Sequence, residues 1–289
     1  MWLLFACGSA LFAGVTAVLA KIGMQHINST IATALRTIIV LLFSWLMVLL
    51  TGAFSGIGSI SGKTLVFLLL SGCATGASWL CYFKALQLGD VSQVAPIDKS
   101  STVLTILLAF FLLGEPIGLP QGIGVVLIGT GTFLMLEKRS PAAGCAPQCG
   151  SWMLYAFGSA VFASLTAILG KAGIQGVESN LGTAIRTGVV LVFSWLIVFL
   201  TGAQTQLFAI RGTAWASLVL SGVATGGSWL CYFRALQLGD VHKVAAVDKS
   251  STVLTMLLAV LVLQEPLTWK KAIGMAAIAG GTWLMVYHP

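Results

Sequence analysis

Charge is what this sequence has least of. Asp, Glu, Lys and Arg together make up 8% of its 289 positions, about a third of the ~25% share found in soluble globular domains. That shortage excludes a chain whose surface faces water over most of its area. Acidic side chains number 8 and histidines 3. His26, His242 and His288 share no spacing, and no Ser/His/Asp or metal-ligand cluster accompanies them, so an enzyme buried in a membrane stays a minor alternative. No Cys-x-x-Cys pair occurs among the six cysteines, which removes the zinc and dithiol readings. Cys81 and Cys231 read as small buried hydrophobes, whereas Cys145 and Cys149 could pair if their segment faces an oxidising compartment. The 15 Lys and Arg give a formal charge of +7, but they are scattered singly and form no basic face, which excludes nucleic acid as a partner.

What is abundant is apolar length. Hydrophobic residues make up 58% of the chain, and runs such as 38–50, 102–113 and 191–200 extend towards the ~20 residues that cross ~30 Å of hydrocarbon. Helices are the economical way across, because each satisfies its own backbone polar groups. Shifted by 150 positions, the sequence aligns with itself almost end to end. WLCYFKALQLGD at 79–90 returns as WLCYFRALQLGD at 229–240, and DKSSTVLT at 98–105 returns unchanged at 248–255. Repetition of particular polar residues goes beyond what hydrophobic periodicity produces and marks an internal duplication. The apolar segment 2–20 recurs mid-chain at 152–170, so both are read as retained helices and not as a cleaved signal.

Turn residues divide the first half into helices at about 2–24, 30–50, 63–88, 91–113 and 119–136, and the same intervals recur 150 residues later. The expected fold is an all-α integral membrane protein of ten transmembrane helices. Its domains are a first five-helix repeat over 1–137, a linker over 138–150 and a second repeat over 151–289. Five crossings leave each repeat's end on the side opposite its start, so the second repeat lies upside down relative to the first. Two such units form the inverted repeat of many secondary transporters.

Several charges recur inside these apolar segments, where one costs roughly 2.5–3.5 kcal/mol at the bilayer centre on insertion scales. Arg36 and Arg186 lie in the second helices. Asp98, Lys99 and their copies Asp248 and Lys249 lie in the fourth. Asp98, Ser101, Thr102 and Thr105 share one helical stripe, which is expected to face a cavity together with the equivalent Asp248, Ser251 and Thr252. Lys99 is turned about 100° from Asp98, so both should find partners elsewhere, in Arg36 or the opposite half. The candidates for substrate binding or coupling are thus Arg36, Asp98, Lys99, Ser101, Thr102, Arg186, Asp248, Lys249, Ser251 and Thr252. Lys21, Lys84, Lys171 and Arg234 read as charges that snorkel to the interface. Trp79, Tyr82, Trp229 and Tyr232 are interfacial anchors on one reading and cavity lining on the other. Gly72, Gly76, Gly222 and Gly226, with glycines 122, 124, 129 and 131, are assigned to close helix packing. Pro96, matched by Ala246, predicts a kink just before Asp98 in one repeat only.

The motifs YFKALQLG at 82–89, VAPIDK at 94–99 and LLGE at 112–115, with the glycine-rich stretch 121–131, resemble the drug/metabolite transporter superfamily. The resemblance is to its EamA-type repeat, as though a short single-repeat member had been duplicated and fused. It implies ten helices in two inverted repeats and, commonly, export of amino acids, other metabolites or toxic compounds. Glu115 and Glu265 match the family's glutamate at the end of the fourth helix and are read as ordering the turn. The expected function is alternating-access transport of a small metabolite, amino acid or drug-like solute, with efflux favoured; a non-transporting membrane partner or regulator is the alternative. No cofactor is expected. Proton coupling depends on whether Asp98 or Asp248 is desolvated, which would let it carry a proton, or held ionised by a cation. A monomer suffices for a complete unit, in a bacterial or archaeal inner membrane. Orientation is left open: the loop cations place the linker in the cytoplasm, whereas the resemblance places the termini there.

Overall fold

The computed structural model describes residues 1–23, 29–88, 97, 100–134, 151–205, 212–263 and 268–287. The linker, Pro96, Asp98, Lys99 and Glu265 fall outside the described residues. The described part is all-helical: α1 (Trp2–Gly23), α2 (Ser29–Leu50), α3 (Gly62–Leu88), α4 (Ser101–Leu113), α5 (Leu119–Leu134), α6 (Ser151–Ile174), α7 (Ser179–Leu200), α8 (Gly212–Leu238), α9 (Val241–Lys249), α10 (Ser251–Leu263) and α11 (Trp269–Tyr287). Six helices, α1, α2, α3, α6, α7 and α8, are long and apolar enough to cross a membrane, and α4 and α5 are shorter apolar helices. Leu42, Leu46 and Leu49 are exposed at spacings of four and three. They form a lipid-facing stripe on α2, the reverse of a soluble helix's polar outer face.

Local chemistry explains the helix ends. Gly52 and Gly202 each adopt φ +68 after α2 and α7, the left-handed conformation that glycine takes without a Cβ penalty. Glu178 caps α7, its carboxylate accepting hydrogen bonds from the N–H groups of Asn180 (2.8 Å) and Leu181 (3.1 Å). The interval 241–263, expected as one helix, is two. The Ser250 hydroxyl donates to the Val247 carbonyl at 2.6 Å and the Ser250 N–H donates to the same oxygen at 2.9 Å, so a tight turn replaces the regular ladder. Ser100 makes the same pair of bonds to the Ile97 carbonyl, at 2.6 and 3.1 Å. Asp248 and Lys249 thus close α9 directly before the break.

The chain's two halves are interleaved. α1 packs along α8 and α3 along α6, while α2 meets α7 and α5 meets α11. A shift of 150 residues turns each of these pairings into itself or its mate, which is what a pseudo-twofold axis between the halves produces. Glycine permits the closest approaches. A Cβ on Gly124 would lie 2.8 Å from the Gly281 carbonyl oxygen, and one on Gly131 would lie 2.7 Å from that of Gly274, so α5 and α11 touch backbone to backbone. Gly122 departs from its expected packing role, having nothing within 4 Å of its Cβ position.

Candidate functional site

The centre of the bundle is a ladder of hydroxyl groups joining the two halves. Ser71, Thr75 and Ser78 share one face of α3, and Ser221, Thr225 and Ser228 share the equivalent face of α8. Ser228 donates to the Ser9 carbonyl at 3.0 Å, and Ser78 donates to the Ser159 carbonyl at 3.1 Å. Ser221 and Ser71 reach the carbonyls of Thr16 (3.2 Å) and Thr166 (2.8 Å). Side-chain hydroxyls thereby join helices of the two halves.

The two arginines, Arg36 partly buried and Arg186 buried, attach to this ladder in the same way. Arg36 Nη2 donates to Thr225 Oγ1 at 2.7 Å, and Arg186 Nη2 donates to Thr75 Oγ1 at 2.9 Å. Their surroundings then diverge. Arg36 lines a cavity of about 440 Å³ whose walls include Thr33, Trp79, Tyr82, Thr225 and Trp229. Arg186 is 2% exposed, with its guanidinium carbon 4.1 Å from the centre of the Phe233 ring and 5.3 Å from that of Trp229, a cation–π arrangement. Nε has no hydrogen-bond partner in either arginine.

Two smaller cavities adjoin the Arg36 cavity. One, of about 260 Å³, is lined by Arg186, Trp229, Tyr232 and Asp248. The other, of about 280 Å³, has Ser101, Thr102, Thr105, Asp248, Lys249, Ser251 and Thr252 in its wall. Trp229 belongs to the first and second cavities and Tyr232 to the second and third, so the three share walls. Asp248 accepts a hydrogen bond from the Ser9 hydroxyl at 2.8 Å. Every candidate from the sequence that is described, with all four aromatics, therefore borders this row of cavities. The hydroxyls of Ser9, Thr75, Thr225 and Ser228 escaped sequence reasoning, although Ser71, Thr75 and Ser78 repeat at spacings of four and three, a stripe the sequence displays.

A second cluster ties the halves near one end. Glu115, just beyond α4, accepts hydrogen bonds from the N–H groups of Val241 (2.6 Å) and His242 (2.9 Å), the first two residues of α9. His242 Nδ1 lies 2.6 Å from the same carboxylate. Its role thus goes beyond ordering its own turn, since it caps a helix of the opposite half, where an anion meets the positive end of the helix dipole. Burial alone raises the Glu115 pKa, but the His242 imidazole and the two backbone N–H groups outweigh it and hold the carboxyl below its ordinary value. Lys171 departs from the snorkelling expectation. Its ammonium donates to the carbonyls of Leu236, at 2.6 Å, and Gly239, closing the C-terminal end of α8. Gln237 donates to the carbonyls of Ile174 (2.9 Å) and Val177 (2.8 Å) at the end of α6, and Arg234 donates to Gln237. Lys84 is exposed, in keeping with a charge that reaches an interface.

Comparison with known proteins decides what this bundle belongs to. The EamA-like transporter family matches the chain twice, over residues 1–137 and 150–287. The chain belongs to the EamA-like transporter family. Its members are membrane transporters of small solutes, and this one is a multi-pass bacterial membrane protein. An uncharacterized transporter in the cobO 3' region of Sinorhizobium sp is 46% identical over 134 residues, which are 46% of this chain and 95% of that relative. That relative is therefore about the size of one half. A putative ribose uptake protein of Lactiplantibacillus plantarum is 25% identical across 92% of this chain and 89% of its own length. An aromatic amino acid exporter of Ancylobacter novellus is 25% identical across 69% of this chain and 68% of its own. Among solved structures, one crystal structure matches with a TM-score of 0.78 at 20% identity, covering 97% of this chain and 95% of that one, which carries the fold.

Proposed function

We propose that this EamA-family chain is a secondary transporter that carries a small metabolite, amino acid or drug-like solute outward by alternating access, with ten membrane spans in two inverted five-helix repeats. The observation that carries the reading is the unequal state of two equivalent arginines. Arg36 and Arg186 make the same bond to Thr225 and Thr75, yet Arg36 borders the larger cavity while Arg186, 2% exposed, packs against the Trp229 and Phe233 rings beside a smaller one. In an inverted-repeat carrier, exchanging those two environments is the switch between states, and the repeat makes the exchanged state nearly equal in energy. Substrate binding and coupling fall to Arg36, Arg186, Asp248, Lys249 and the hydroxyls of Ser101, Thr102, Ser251 and Thr252, with Asp98 and Lys99 as the equivalent pair in the first repeat. Asp248 is the proposed proton carrier, because it borders two cavities and can exchange a proton with either.

The outward direction has support from the exporter's name and opposition from that of the ribose uptake protein. Purified protein in liposomes, loaded with a labelled panel of amino acids, sugars and organic ions, tests the whole reading. Counterflow of at least one solute, dependent on a pH gradient and losing that dependence in Asp248→Asn, is the expected result. No counterflow across the panel would overturn it.

A further inference from the structure

We infer that the Arg36 cavity binds the carboxylate of an aromatic organic anion, an inference that rests on the transport reading above. A guanidinium has five N–H donors in a planar fork, and here Thr225 takes one at 2.7 Å while Nε has no partner. Arg36 is the sole charged residue among the described residues of the cavity wall, so the described part of the wall carries one positive charge. Water is a poor counterweight within an apolar bundle, and a carboxylate held in two parallel N–H···O bonds both satisfies the fork and cancels the charge.

The rest of the cavity sets the body of the ligand. Trp79, Tyr82 and Trp229 border the same space as Arg36, presenting flat apolar faces for a ring to stack on. A volume of about 440 Å³ lies within the range that holds small organic ligands and leaves room for one or two fused rings. Arg186 supplies a view of the closed arrangement, in which the equivalent guanidinium covers two aromatic faces. A ring with a carboxylate reproduces both kinds of interaction at Arg36, donor to oxygen and cation to π face. The cavity wall offers an ammonium group no carboxylate among its described residues, since Asp248 borders the two smaller cavities and not this one. Among the described residues, the group this wall is built to read is thus the carboxylate, through Arg36.

Three indole probes separate the charges: indole-3-acetate carries the anion alone, tryptamine the cation alone, and tryptophan both. Isothermal titration calorimetry of the purified protein reads affinity. Indole-3-acetate is expected to bind at least as tightly as tryptophan and about tenfold or more tightly than tryptamine, the scale set by one charge-assisted hydrogen bond. Arg36→Gln should lose that preference while Arg36→Lys keeps part of it. Because the three probes are compared on the unmodified protein, the result does not depend on the variants folding. Tryptamine binding as well as indole-3-acetate, no binding by any probe, or an unchanged preference in folded Arg36→Gln would each overturn the inference. Counterflow of a cation or a sugar, but of no carboxylate, would overturn it and leave the transport reading standing; absence of all counterflow would bring down both.

Discussion

Glu115 meets His242 across 127 positions of sequence, one carboxylate oxygen lying 2.9 Å from the His242 backbone nitrogen and 2.6 Å from its imidazole Nδ1. The pairing links the end of α4 to the start of α9, and nothing in the repeat foretells it. The position equivalent to His242 is Ser92, so the imidazole belongs to one half alone.

Glu115→Gln keeps the shape of the side chain but removes the charge that favours the helix N-terminus. It also places an amide where two backbone donors and an imidazole point. The variant should be less stable by about 1–3 kcal/mol, the scale of a compromised buried charged hydrogen bond, with a lower thermal midpoint in detergent. A midpoint equal to that of the unmodified protein would remove the capping role.

Acid should find the same pairing. The folded Glu115 carboxyl has a pKa below its ordinary value, so its stabilisation is fully present above the unfolded value of about 4.3. It is lost as pH falls through the lower folded value, where the native carboxyl takes up its proton. Melting curves between about pH 6 and pH 3 should fall more steeply for the unmodified protein than for Glu115→Gln. Parallel curves would show that other groups govern acid sensitivity.

Arg186→Met tests what a buried cation costs. Arg186 is 2% exposed, and its guanidinium meets a threonine hydroxyl and two aromatic rings. Replacing a buried charge with an apolar chain of similar length is often neutral or stabilising. The thermal midpoint should hold or rise while counterflow falls about tenfold or more, because the arginine needed in the exchanged state is gone. A destabilised variant with intact counterflow would reverse that assignment.

Gly131→Ala and Gly122→Ala form a matched pair on α5. A Cβ at Gly131 would sit 2.7 Å from the Gly274 carbonyl oxygen, whereas one at Gly122 meets nothing within 4 Å. Forced separation of α5 and α11 should cost about 1–3 kcal/mol in the first variant. The second should be neutral or gain up to about 1 kcal/mol from helix propensity. Equal melting shifts would refute the close backbone approach.

Much of the fold was legible because it is written twice. Exact repetition marked the intervals of the helices, and the interval 241–263 matches α9 and α10 end to end, missing only the turn at Ser250. That turn rests on one serine hydroxyl choosing a carbonyl three residues back, a competition that composition does not display. In the site, charged residues stood out against an apolar background, which led to Arg36, Arg186 and Asp248. Their partners did not stand out, since serine and threonine are ordinary residues in a helix until a second helix comes within reach. Lys84 and Arg234 show the remaining limit. They occupy the same place in the repeat, yet Lys84 is exposed while Arg234 donates to Gln237. The sequence repeat makes the two positions equivalent, and the single conformation described gives them different surroundings.

The interleaving of α1 with α8 and of α3 with α6 has a consequence for biosynthesis. When the first half leaves the ribosome, Ser71, Thr75 and Ser78 have no carbonyl or hydroxyl of α6 to meet, and Arg36 has no Thr225. These groups must wait in the membrane, against lipid or insertion machinery, until the later helices are translated. Maturation of the first half is thus timed by synthesis of the second: a chain stalled before α6 would lack the helix that Ser71, Thr75 and Ser78 bond to, and one stalled before α8 would leave Arg36 without Thr225.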